Sequence, residues 1–112
     1  MDEKKKLIMN LFTEATSASA KALEIIEENM TNRQNEFVAA AYINKAISAV
    51  SAAKAYYYSN LGELESTVLN SVFRQFGVFT DEFLTSLAEN HSHQWTREEF
   101  NRYKDFLDDF AL

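Results

Sequence analysis

No proline interrupts these 112 residues, and only two glycines, Gly62 and Gly77, occur among them. A proline inside a helix costs about 3 kcal/mol and a glycine about 1 kcal/mol, so the residues that usually end helices are nearly absent. The chain also lacks the period-two alternation that argues for strands. Helices throughout are expected. The length suits one domain, residues 1–112, around one core. With 46% apolar and 25% charged residues, the chain lies outside the range of compositional disorder.

Apolar spacing predicts an all-α bundle of four to five helices, built on a long antiparallel hairpin at about 3–29 and 33–60. Shorter helices are expected at about 63–76, 80–90 and 96–110. In the first helix Ile8, Leu11, Ala15, Ala18, Ala22 and Ile25 recur at spacings of three and four. The second carries a face of small residues between tyrosines, Tyr42, Ala46, Ala49, Ala53 and Tyr56, and a larger apolar face from Ile43 to Leu61. A turn near Asn32 sets Ala15 opposite Ala49 and Ala18 opposite Ala46, so alanines meet at the middle of the hairpin and the axes can approach to about 8 Å.

Punctuation of the chain follows from capping chemistry. Thr31 with Gln34, and Thr96 with Glu99, have the spacing of capping boxes. Gly77 ahead of Thr80 reads as a helix stop followed by an N-cap. A further break is expected at Gly62. Between Phe37 and Asn60 the only charges are Lys45 and Lys54, which predicts a central helix, shielded by the other helices or by a second copy of the chain in a homodimer.

The net charge is −6 and is unevenly placed. Residues 1–80 hold nine acids and eight bases, whereas residues 81–112 hold eight acids and three bases. A direct nucleic-acid binder needs a basic patch to displace counterions, and none is visible, so no direct nucleic-acid partner is expected. Neither is a membrane partner: the apolar stretch from Val38 to Tyr58 has Lys45 near its middle, where a lysine costs about 3 kcal/mol in a bilayer. Lys4, Lys5 and Lys6 ahead of Leu7 to Phe12 imitate the start of a signal peptide, but six residues including Asn10 are too few for its apolar core. The chain has no cysteine, which removes disulfides, thiolate ligands and cysteine nucleophiles and fits a reducing compartment. A cytoplasmic location is expected.

Sites of chemistry are sparse. His91 and His93 are the only histidines and, with Glu89, form the one weak candidate metal cluster. A bundle-core metal site uses Glu-x-x-His pairs and further inward glutamates, which the chain lacks, so no metal or other cofactor is expected. Helical nucleases of the HEPN type carry an arginine followed within a few residues by histidine, and Arg74 and Arg97 have no such partner. Secreted helical-hairpin proteins of the WxG type are of similar length, but the expected first turn here reads Thr31-Asn32-Arg33 in place of Trp-x-Gly. The serines lie in alanine-rich helical context without a nearby base, and no catalytic residue is assigned.

Surplus aromatics are more informative. Tyr56, Tyr57 and Tyr58 fan over about 200° of a helix and cannot all enter one core. Trp95 either staples the last helix by packing near Phe100 or anchors a partner. The candidate partner surface therefore comprises Tyr56, Tyr58, Trp95 and the acidic Asp105, Asp108 and Asp109. The expected function is a non-enzymatic protein–protein interaction or regulatory role, with homodimerisation as one form of it. Two alternatives are an acidic inhibitor that mimics nucleic acid towards a nucleic-acid-binding protein, and a metal-binding or HEPN-like helical enzyme.

Overall fold

The computed structural model describes residues 2–28, 33–89 and 93–111. Among these residues five helices follow one another: α1 (Glu3–Glu28), α2 (Arg33–Ser59), the single turn α3 (Leu61–Leu64), α4 (Thr67–Glu89) and α5 (Gln94–Ala111). No strand occurs among the described residues. The four long helices run up and down as two hairpins, α1 with α2 and α4 with α5, which meet along α2–α4 and α1–α5. The product is a rod of 46 × 20 × 19 Å, consistent with a 27-residue α2 that spans about 40 Å at 1.5 Å per residue.

Alanine lines the seam of α1 and α2. Ala15, Ala18 and Ala22 of α1 and Ala39, Ala46, Ala49 and Ala53 of α2 are all buried, and the two helices pack together along the hairpin. The buried Ile8, Phe12, Ala15, Ser19, Ala22 and Ile26 mirror Tyr57, Ala53, Val50, Ala46, Ile43 and Ala39 about a point between residues 32 and 33. The stripe differs in detail from expectation: Phe12 and Ile26 take the core, while Leu11 and Ile25 stay half-buried beside it.

Aromatic rings fill the space between the hairpins. Phe12 of α1 lies 5.2 Å from Phe73 of α4 and 6.4 Å from Tyr103 of α5, by ring centroids. Tyr57 of α2 reaches the same Phe73 at 5.4 Å. Within the second hairpin Phe76 meets Tyr103 at 5.2 Å and Phe79 meets Phe100 at 5.1 Å. Tilted and edge-on rings at these separations add to the burial of their area.

Three boundaries depart from the sequence reading. Expected helices at 63–76 and 80–90 are one continuous helix, α4, with Gly77 in its interior. One apolar face, Leu69, Val72, Phe76, Phe79 and Phe83, passes through that glycine without a change of phase, and its burial outweighs a penalty of about 1 kcal/mol. Thr80 is accordingly no N-cap, and its hydroxyl donates back to the Gly77 carbonyl at 3.1 Å. The break expected at Gly62 falls on either side of it instead, at Asn60 and at residues 65–66. Ser66 starts α4, its Oγ accepting from the Leu69 N–H at 3.2 Å, an N-cap bond that the serine side chain supplies.

α5 begins at Gln94, two residues before Thr96, so the Thr96–Glu99 capping box does not form. Starting earlier puts Thr96, Phe100, Tyr103, Leu107 and Phe110 on one buried stripe. Glu99 instead accepts from Gln75 Nε2 at 2.6 Å and from Arg102 at 2.7 Å. Thr31, Asn32 and the turn placed there lie outside the described residues. α2 is not shielded within the chain: Ala41, Asn44, Ser48, Ser51, Ala52 and Ala55 face solvent together with Lys45, and the helix carries little charge on that face because the other residues exposed there are small and neutral.

Candidate functional site

The consecutive tyrosines divide as helical geometry demands. Tyr57 is buried at 1% exposure, Tyr56 is half-buried against the core, and Tyr58 is 59% exposed. Tyr57 has its hydroxyl in a network: it accepts from the Ser66 N–H at 3.4 Å and donates to Asn70 Oδ1 at 2.8 Å. Tyr58 has its ring against Tyr57, with centroids 5.4 Å apart.

Trp95 does not staple α5. It is the second residue of that helix and is 62% exposed. Its neighbour Thr96 occupies the buried stripe, and about 100° of rotation per residue carries the indole away from the core. Phe37, in the second turn of α2, is 67% exposed. The Arg97–Glu27 ion pair, with guanidinium-to-carboxylate distances of 2.9 and 2.5 Å, fixes the start of α5 beside the end of α1. Phe37 and Trp95 therefore lie at the same end of the rod, where α1 and α4 finish and α2 and α5 begin. Val38 and Leu84 are exposed towards that end as well.

Phe37 was not among the sequence candidates. Its signal was its phase: it stands two residues before Ala39, off the buried series Ala39, Ile43, Ala46 and Val50. Tyr58 lies at the opposite end of α2, so the structure does not bring it together with Trp95. Asp105, Asp108 and Asp109 are exposed on α5, among basic residues that include Arg102 and Lys104, the latter with its Nζ 5.0 Å from the Phe100 ring.

His93 is buried at 8% exposure, and its Nδ1 shares a hydrogen bond with the buried Ser86 hydroxyl. The contact ties the end of α4 to the start of α5, where the His93 carbonyl also accepts from the Arg97 N–H at 3.0 Å. His91 lies outside the described residues. Among the described residues no three His, Cys, Asp or Glu side chains cluster as a metal site, and no helix is long and apolar enough to cross a membrane.

One phenol has a displaced pKa. Burial pushes Tyr103 up to about 12, against a smaller downward pull from its hydrogen bond with Thr16. Beside Glu27, the Arg97 guanidinium is held above its ordinary value, chiefly through their hydrogen bond. Comparison of the chain with protein-family models, curated proteins and solved structures finds no match.

Proposed function

We propose that the protein is a non-enzymatic interaction module whose partner docks on the end of the rod that carries Phe37 and Trp95. The observation that supports this reading is their exposure, 67% and 62%, in a chain that otherwise buries Phe12, Phe76, Phe79, Phe83, Phe100 and Phe110. Aromatic side chains bring large contact area with few torsions to fix, and tryptophan is enriched among the residues that dominate binding energy. Val38 and Leu84 extend the apolar surface that a partner would cover.

Co-purification from native host lysate tests the reading. The tagged parent should recover a discrete protein partner, and a Phe37→Ala, Trp95→Ala double variant of unchanged helicity should lose it. Equal recovery by the variant, or no partner for the parent, would refute the proposal.

Exposure of Asp105, Asp108 and Asp109 on α5 favours a second reading, an acidic surface that occupies a basic nucleic-acid-binding protein. Complex formation would then weaken steeply with salt. Salt-insensitive binding that survives Asp105→Asn, Asp108→Asn and Asp109→Asn together would eliminate it.

A further inference from the structure

At the other end of the rod, the last turns of α2, α3 and the first turns of α4 border an open cleft of about 590 Å³, within the roughly 300–1,000 Å³ of small-molecule sites. Lys54 and Tyr58 line it from α2, and Asn70 and Arg74 from α4. Each pair is four residues apart and shares one helix face. In a chain of net charge −6, two cations thus line one opening. Neither Lys54 nor Arg74 has an ion-pair partner among the described residues.

A third donor is fixed by the hydrogen-bond network below the cleft. Because the Tyr57 hydroxyl accepts from Ser66 N–H, its own proton goes to Asn70 Oδ1. That leaves the Asn70 Nδ2 hydrogens as donors. One wall is aromatic: the exposed Tyr58 ring lies 5.4 Å from Tyr57, which lies 5.4 Å from Phe73, and all three rings line the cleft. Among the described residues of the lining Glu65 is the one acid, and it supplies a charged acceptor.

We propose that this cleft binds a small phosphate ester carrying a planar ring, of the nucleoside monophosphate class. Lys54 and Arg74 hold the phosphate, with Arg74 able to offer two parallel N–H bonds to its oxygens, and Asn70 Nδ2 adds a neutral donor. The ring stacks on Tyr58, an interaction that every nucleobase can make. Glu65 accepts from a sugar hydroxyl. This site lies at the opposite end from Phe37 and Trp95 and does not depend on the partner surface there.

Titration of the full chain with AMP, followed by amide chemical shifts and calorimetry, tests the proposal. Saturable shifts should centre on Lys54, Tyr58, Asn70 and Arg74 and leave the Trp95 indole unmoved. Lys54→Met and Arg74→Met should each weaken AMP by about tenfold or more while melting like the parent, because both side chains are exposed. Inorganic phosphate, which lacks the ring, should bind about tenfold more weakly than AMP. The proposal is overturned by no saturable binding, by shifts centred elsewhere, by undiminished affinity in both variants, or by phosphate that binds as tightly as AMP.

Discussion

Tyr103 of α5 and Thr16 of α1 place their hydroxyl oxygens 2.6 Å apart, a polar contact across the seam where the two hairpins join. The Tyr103 ring is fully buried and touches Phe12, Phe76 and Phe100. The residue therefore joins α1, α4 and α5 through its ring and satisfies its one polar atom at the edge of the core.

This placement makes stability sensitive to alkali. The Tyr103 pKa is raised to about 12 by burial, whereas an unfolded tyrosine titrates near 10. The neutral phenol is favoured in the fold, so its contribution is complete below pH 10 and is lost as pH rises towards 12. The loss over that window should reach roughly 2 kcal/mol. Denaturant melts between pH 9 and 12 should show it in the parent and a smaller slope in Tyr103→Phe, which at neutral pH should cost about 1 kcal/mol for the lost hydrogen bond.

Gly77 is a position for stabilisation. It lies inside α4, and a Cβ built there meets no atom within 4 Å. Gly77→Ala should raise stability by about 1 kcal/mol, read as an increase in melting temperature of about 4 °C. A decrease would mean that α4 does not run unbroken through residue 77.

Ser66 is the opposite case. Its Oγ accepts from the Leu69 N–H, and Ser66→Ala should cost about 1 kcal/mol through loss of this cap. Ser66→Asp should retain most of the stability, because aspartate caps equally well and its charge suits a helix start. Thermal unfolding of the two variants side by side separates loss of the cap from loss of packing.

Thr96 buries a hydroxyl that has no hydrogen-bond partner among the described residues. Thr96→Val keeps the branched shape and removes the unpaired polar atom, so stability should rise by about 1 kcal/mol. Thr96→Ala, which leaves a space beside Phe100, should not show this gain. The comparison is a calorimetric one.

The hairpin of α1 and α2 was legible because two apolar series with helical spacing, rich in alanine, can be matched to each other about one turn. Its precise stripe was not, since a 3.6-residue period accommodates Leu11 or Phe12, and Ile25 or Ile26, almost equally. The choice is made by distant partners: Phe12 enters the core because Phe73 and Tyr103 are there to receive it. Gly77 misled for a related reason, as a local penalty of about 1 kcal/mol is smaller than the burial of several phenylalanines on one unbroken face. Tyr58 and Trp95 were readable as surplus aromatics. Phe37 was not, because a single phenylalanine near a helix start looks the same whether it packs or projects, and neither was the cleft between Lys54 and Arg74, which exists only once α4 lies beside α2.

The docking end is tested most directly by a photo-crosslinking residue placed at position 95 and, as a control, at position 51 on the exposed face of α2, each expressed in the native host. One discrete protein adduct is expected from position 95 and none from position 51. No adduct from position 95, or the same adducts from both positions, would contradict docking at that end.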